Sequence, residues 1–206
     1  NKEKVPPWKV RNSNSFYLNS LTSKMPITFK EKNILRDNDE RKFQKELIKN
    51  IKSKTDVIVT SGAVSAGKYD FIPKIIKKQK LISYFKGVAI RPGKPVTFAK
   101  LQKNKVFFGL PGNPISSAAC FRFFVLPFLL SSLEMKKEQP IFAKLQNPFL
   151  KNKFFTRFIK GKINTNNRGI VEFKVLKGQE SFRINSFTKA NSWGLFPSGK
   201  SSFKRG

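Results

Sequence analysis

The stretch Thr55–Asp70, TDVIVTSGAVSAGKYD, constrains the fold more than any other part of the chain. Asp56 opens a β-branched run, Val57-Ile58-Val59-Thr60, of the kind that forms a buried strand. Gly62 and Gly67 then bracket a loop of small residues before helical sequence resumes. Strand, glycine loop and helix in that order make a phosphate-loop layout. Glycine reaches backbone conformations closed to other residues, and the helix that follows turns unpaired N–H groups toward an anion.

Gly62 to Lys68 fits the pattern G-x-x-x-x-G-K of nucleotide hydrolases, but the next residue is Tyr69, where that motif needs Ser or Thr to hold magnesium. No apolar strand ending in a magnesium-binding Asp follows either, so the hydrolase reading fails.

The rest of the chain sets this loop in an α/β order. Ser13 or Asn14 caps a short helix carrying Phe16, Tyr17, Leu18 and Leu21, and Ile27–Phe29 reads as a short strand. Phe43, Leu47, Ile48 and Ile51 line one face of an amphipathic helix that delivers the chain into the strand at Asp56. A helix over Phe71–Lys80 follows the loop. Val88–Ile90, Val96–Leu101 and Val106–Leu110 then read as strands, and Ile115–Leu133 as a long apolar helix buried on most sides. This order predicts an α/β layer architecture up to residue 138. The apolar pattern breaks at Lys136–Pro140. Beyond it, strand-like stretches at Ile141–Leu145, Phe154–Ile163, Ile170–Leu176 and Arg183–Phe187 alternate with Gly and Asn turns and predict a small β domain over residues 139–206.

With 206 residues, 39% of them hydrophobic and 22 of them Phe, the chain has material for a real core. Its 42 Lys+Arg against 12 Asp+Glu give a formal net charge of +30, a field that attracts nucleic acid, anionic membrane or a polyanionic small molecule. The lysines are spread along the whole chain, and no basic stripe with interleaved aromatics stands out. The charge is therefore read as compositional bias, with no specific nucleic-acid partner. A lone cysteine, Cys120, excludes an internal disulfide and suits a reducing compartment; the absence of His rules out histidine metal sites and histidine general bases. The first residues, NKEKVPPWKV, have no apolar core of signal-peptide length. The longest apolar run, Phe121–Leu133, is interrupted by Arg122 and Pro127 and falls short of the ~20 residues that span a bilayer. A soluble, cytoplasmic protein without membrane contact is expected.

Two further loops bear glycine. Arg91-Pro92-Gly93-Lys94-Pro95 is either a rigid surface turn with incidental charge or a mount that presents Arg91 and Lys94 to an anion with little freedom to lose. Leu110-Pro111-Gly112-Asn113-Pro114 is either a plain strand-to-helix turn, with Asn113 as N-cap and Pro114 in the first turn, or a helix start that also offers backbone donors. Together with the first loop they describe one rim, where open α/β sheets put ligands. Two acids stand near it. Asp70 and Asp37 each either cap a following helix or project a carboxylate toward a metal ion or a reacting oxygen.

SGAVSAGKYDF (Ser61–Phe71), VAIRPGKPVTFAKL (Val88–Leu101) and FFGLPGNPISSAACFRFFVLPFL (Phe107–Leu129) resemble, in order and spacing, the molybdopterin molybdenumtransferases, the MoeA and gephyrin E-domain family. The resemblance extends to Arg11–Ser15, to Arg36-Asp37-Asn38 and to Lys177–Gly199, so it covers nearly the whole chain. LPGNP after PGKP is its most specific part, since molybdopterin adenylyltransferases and competence-damage-like proteins share the glycine loop.

The resemblance implies a three-layer αβα molybdopterin-binding-like domain followed by a small β-barrel-like domain. It also implies the last step of molybdenum cofactor synthesis by a homodimer: adenylylated molybdopterin is bound, molybdate is inserted at the dithiolene, and AMP is released. It gives catalytic roles to Asp37, Asp70 and Lys94, and magnesium (Mg2+) coordination to Asp37 and Asp70. It gives substrate contacts to Ser61, Gly62, Ser65, Gly67, Lys86, Arg91, Gly93, Pro111, Gly112, Asn113, Pro114 and Ser181. Contact with a molybdopterin adenylyltransferase is a further implication. Some positions depart from the family pattern. Ala63 stands where many members have glycine, Arg91 replaces a common lysine, and Gly87 occupies a position often held by a functional lysine, with Lys86 beside it. The family's preceding strand and TG-x-E-L-like acidic motif are not found, so the chain is expected to start inside the α/β domain. The alternative reading is an inactive fragment, or a scaffold or anion-binding module of the same fold.

Overall fold

The computed structural model describes Pro6 and residues 12–31, 34–35, 39–62, 75, 81–101 and 104–206. Its first half contains helices α1 (Asn14–Thr22) and α2 (Glu40–Lys52) and strands β1 (Val57–Ser61), β2 (Ile82–Lys86), β3 (Ile90–Arg91), β4 (Thr97–Lys100) and β5 (Val106–Leu110). A continuous helix from Pro114 to Ser132 follows. It is built from α3 (Pro114–Cys120), a stretch of π geometry over Phe121–Val125, and α4 (Leu126–Ser132).

Alternation along the strands divides the core into two faces, as the period of two requires. Ile58, Ala99, Leu101 and Phe107 pack with Phe43, Leu47 and Ile51 of α2 and with Ile75. Val57, Val59, Phe98, Phe108 and Leu110 pack on the opposite side with Leu18 of α1 and with Ala119, Phe121, Val125, Leu126 and Leu129 of the long helix. Helices therefore cover both faces of the sheet, in an α/β arrangement. Each fully buried Phe or Leu contributes roughly 1.5–3 kcal/mol, so this two-sided burial is the main stabilising term.

The sheet is mixed, in the order β1-β5-β4-β2, with β1 parallel to β5 and the other pairs antiparallel. Strand β2 went unread in the sequence because it is an edge strand whose Ile82 and Tyr84 are exposed, which blurs the alternation. Ile27–Phe29 is not a strand, although both residues pack against the larger core cluster. The N-cap of α2 is Asp39, whose carboxylate accepts from the Lys42 N–H at 3.1 Å; Asp37 lies outside the described residues.

The long helix contains Pro127, which has no N–H to return to the carbonyl four residues back. Just before it the helix widens, and the Leu126 N–H reaches Phe121 O. Counted from Pro114 this helix is 19 residues and passes, by length and composition, for a membrane span. Here it is a core helix: Ile115, Ala119, Cys120 and Val125 are fully buried.

The second half holds β6 (Lys144–Leu145), β7 (Phe149–Leu150), β8 (Thr156–Thr165), β9 (Val171–Val175), α5 (Ile184–Thr188), β10 (Ser192–Phe196) and β11 (Ser202–Phe203). The expected strand over Arg183–Phe187 is largely the short helix α5. The expectation of a barrel is also wrong. The strands form an open sheet in the order β10-β8-β9-β6, with β3 added in parallel to β8, and a separate β11-β7 pair. β6, β7 and β11 are two residues long, too short to supply the ladder that would join β10 to β6 and close a cylinder. The open sheet keeps its own core of Ile159, Phe173 and Phe196. It joins the α/β layers through the β3–β8 pairing and through Phe158, whose ring stacks on Phe123 of the long helix at 3.9 Å.

Candidate functional site

Register places the loops at one edge of the mixed sheet. Ser61 at the end of β1 is opposite Leu110 at the end of β5, Gly109 is opposite Thr97 at the start of β4, and Thr97 is opposite Lys86 at the end of β2. The chain thus leaves β1 into the glycine loop, leaves β5 into Pro111–Pro114, and enters β4 from Arg91–Pro95, all at this edge.

Two of these loops touch. Gly62 has φ +106, open only to glycine at low cost, and its N–H donates to Leu110 O at 2.8 Å. A Cβ on Gly112 would lie 3.5 Å from Gly62 Cα, so the two backbones run against each other. Asn14, the first residue of α1, ties them together: its Nδ2 donates to Ser61 Oγ and, at 3.0 Å, to Gly112 O. Beyond Gly112, Asn113 caps α3 by accepting from the Ser116 N–H at 3.1 Å, and Pro114 takes the first helical position. Pro111 is buried while Gly112 is exposed, so the loop is anchored at one end and accessible at the other.

The Arg91–Pro95 loop is pinned from behind. The Val88 N–H donates to Lys94 O and the Gly87 N–H to Val96 O, each at 2.8 Å. Gly93 is buried, has φ +109 and carries its backbone against Cys120 of α3, whose thiol points at Gly93 O at 3.5 Å. Burial pushes the Cys120 thiol up to about 12, so this sulfur is packing and not a nucleophile. Lys86, Arg91 and Lys94 are left exposed.

Arg91 lies beside Arg157, its partner in the parallel β3–β8 register, and its guanidinium covers the Phe155 ring at 4.4 Å. The Nε of Arg157 is buried without an acceptor. Burial, and then the charge of Arg91, lowers the Arg157 pKa. Lys151, also buried, donates to Phe155 O at 2.8 Å and feels Arg157 in turn. The ion pairs among the described residues are Arg122–Glu138 and Arg183–Glu180, and neither neutralises this cluster. Like charges held together without a carboxylate are a seat for an anion.

Ser181 is half-buried in the loop after β9. That loop is shaped by Lys160, whose Nζ donates to the carbonyls of Gly178 (2.8 Å), Glu180 (3.0 Å) and Arg183 (3.2 Å). Among the described residues no hydrogen bond links Ser181 to the rim. Ser65, Gly67, Asp37 and Asp70 lie outside the described residues, and among those described no three His, Cys, Asp or Glu side chains converge. The sequence did not reveal Asn14 and Arg157 as site residues. Asn14 reads as a helix cap, and Arg157 is one residue of the strand-like stretch Phe154–Ile163; only the pairing of distant segments gives them neighbours.

Residues 2–131 match the family model described as "Probable molybdopterin binding domain". The chain is 32% identical over 186 residues to the molybdopterin molybdenumtransferase of Haemophilus influenzae, covering 89% of this chain and 45% of that protein. It is 31% identical over 207 residues to that of Staphylococcus epidermidis, covering 99% and 48%. Among solved structures it resembles the molybdopterin biosynthesis moeA protein of Pyrococcus horikoshii OT3, with a TM-score of 0.74, 25% identity, and coverage of 96% of this chain and 45% of that one. A molybdenum cofactor biosynthesis protein of Pyrococcus furiosus shares the fold with a TM-score of 0.71 at 20% identity, covering 94% and 61%. The chain spans about half the length of the curated relatives it matches.

Proposed function

Since the chain belongs to the molybdopterin-binding domain family, in its MoeA-like branch, we propose that it forms the ligand-binding part of a molybdopterin molybdenumtransferase. In this reading adenylylated molybdopterin is bound at the rim, molybdate is inserted at its dithiolene, and AMP leaves. The observation that carries the proposal is the single sheet edge at which the glycine loop, the Pro111–Pro114 loop and the Arg91–Pro95 loop emerge together.

The chemistry of the residues supports it. Phosphates and molybdate are oxyanions, and the rim offers backbone N–H groups, the Lys86 and Lys94 ammonium groups and the Arg91 guanidinium, with Arg157 behind it. Ser61, Gly62, Pro111, Gly112, Asn113 and Pro114 shape the phosphate side, while Arg91, Gly93 and Lys94 face the reacting oxyanion. Ser65, Gly67 and Ser181 complete the contacts, with Lys94, Asp37 and Asp70 in catalytic roles. The carboxylates of Asp37 and Asp70 are the hard oxygen donors that magnesium takes. Magnesium held by these two carboxylates would neutralise phosphate charge. The reading also includes a cytoplasmic homodimer supplied with substrate by a molybdopterin adenylyltransferase.

The test is calorimetric binding of adenylylated molybdopterin to the purified chain. Saturable binding in physiological salt, weakened about tenfold or more by Arg91→Ala, is the expected result. Binding no tighter than that of AMP, or binding that vanishes with added salt, would sink the proposal by reducing it to generic electrostatics.

A further inference from the structure

The loops that make the rim come from β1 and β5, yet the side chain that joins them comes from neither. Asn14 is 47 residues from Ser61 and 98 from Gly112 in sequence, and its amide nitrogen donates to both. Gly112 O can only accept, so the amide orientation is fixed by chemistry: Nδ2 faces the loops. Both Asn14 donors are spent on these two acceptors, and Oδ1 accepts from no described group. The side chain is half-buried and Ser61 and Gly112 are exposed, so the clamp sits at the accessible mouth and not in the core.

The neighbouring contacts explain why a clamp is needed there. Gly62 and Gly112 meet at their backbones, and among the described residues the hydrogen bond besides those of Asn14 that bridges β1's exit to β5's exit is Gly62 N–H to Leu110 O. Glycine at both points of contact leaves the backbone more alternatives than another residue would, and holding Gly62 against Gly112 in one arrangement costs conformational entropy that ligand binding would otherwise have to supply. The helix behind Asn14 is itself anchored, since Leu18 and Thr22 are buried.

We propose that Asn14 is a positioning residue of the rim, its amide fixing the mouth of the glycine loop against the Pro111–Pro114 loop so that their backbone donors are presented together. The role rests on the binding site proposed above, but its geometry can be tested apart from it.

Asn14→Ala and the near-isosteric Asn14→Asp are compared with wild type and with Ser20→Ala, which removes a hydrogen bond to Tyr17 O from the same helix away from the rim. Amide hydrogen exchange at Gly62 is the first readout, and affinity for adenylylated molybdopterin the second. Asn14→Ala should speed exchange at Gly62 about tenfold and weaken binding by a similar factor, with Asn14→Asp losing more because its charge opposes Gly112 O and the ligand phosphates. Ser20→Ala should leave both unchanged. Unaltered exchange at Gly62 overturns the clamp whether or not wild type binds. Faster exchange together with wild-type affinity overturns its part in binding. A loss of affinity that Ser20→Ala reproduces, or that follows a general fall in melting temperature, reduces Asn14 to helix stability and also overturns it. If wild type does not bind while Gly62 exchange responds to Asn14, the clamp stands and the proposed ligand fails.

Discussion

The sulfur of Cys120 fills the space in which a side chain on residue 93 would have to stand. A Cβ on Gly93 would stand well inside van der Waals contact distance of Cys120 Sγ and 3.3 Å from Ile90 Cδ1, and φ at this position is +109. Two independent penalties therefore meet at Gly93, left-handed backbone strain and overpacking. Gly93→Ala is expected to cost about 2–4 kcal/mol in urea unfolding. Adding Cys120→Ala should recover the steric share and leave the backbone share, a non-additivity that a double-mutant cycle measures. The raised thiol pKa gives a second check. A neutral thiol is favoured in the folded state, so its stabilisation is complete below 9.0 and is lost as pH rises toward about 12. Alkylation of Cys120 near pH 8 should accordingly proceed only as fast as the protein opens.

Phe158 is the aromatic link between the open sheet and the long helix. It is 5% exposed, stacks on Phe123, and has Trp193 close by through Phe123 at 6.2 Å. Phe158→Ala should destabilise the protein by about 3–5 kcal/mol and shift Trp193 emission to the red. A loss of stability without a change at Trp193 would mean that the two halves do not depend on this stack.

How much of this was legible beforehand follows from where the signal resides. The glycine loop, the PGKP and LPGNP turns and the helix cap of Asn113 are local chemistry, and neighbouring residues spell them out. The apolar runs Val57–Val59 and Val106–Phe108 are local too, and in the fold they fill both faces of the sheet. What sequence could not display is pairing between distant segments. Strand β2 is an exposed edge, β3 is two residues whose partner strand β8 comes much later in the chain, and closure of a barrel depends on the lengths of β6, β7 and β11, which only the ladder reveals. The same holds for the site: Lys94 and Arg91 are visible in a motif, whereas Asn14 and Arg157 acquire meaning only from the partners the fold gives them.

Lys160 is 1% exposed and is satisfied by three carbonyls and no carboxylate. Lys160→Met removes one donor from each of those oxygens, leaving Ser186 Oγ on the Gly178 and Arg183 carbonyls and the Arg183 N–H on Glu180 O, and should cost about 2–3 kcal/mol, loosening the loop around Ser181. Burial lowers the Lys160 pKa; the Glu180 charge opposes the shift and Arg157 adds to it. In the unfolded chain the ammonium keeps its proton up to about 10.5, so between the lowered value and 10.5 the unfolded state binds more protons. Wild-type stability should therefore rise with pH through that window relative to Lys160→Met, as urea midpoints measured up to pH 10 will show. A flat difference would mean that the amine has its ordinary pKa.

Arg157 makes the most discriminating prediction, because stability and binding should move in opposite directions. It is the register partner of Arg91, whose charge acts on it, its Nε is buried and unpaired among the described residues, and no described acid offsets the repulsion. Like charges opposed across a strand pair cost a few tenths to about 1 kcal/mol, so Arg157→Met should stabilise the free protein by that amount. An oxyanion between the two guanidinium groups reverses the sign of the interaction in wild type and has less to gain in the variant. Melting temperature measured with and without molybdate then separates the outcomes. Wild type should melt lower in the absence of the anion and gain more from it, while Arg157→Met should melt higher and gain little. If the variant is destabilised without anion, Arg157 is a packing residue and the charge pair is not what shapes this corner of the rim; if both proteins gain equally, molybdate binds elsewhere.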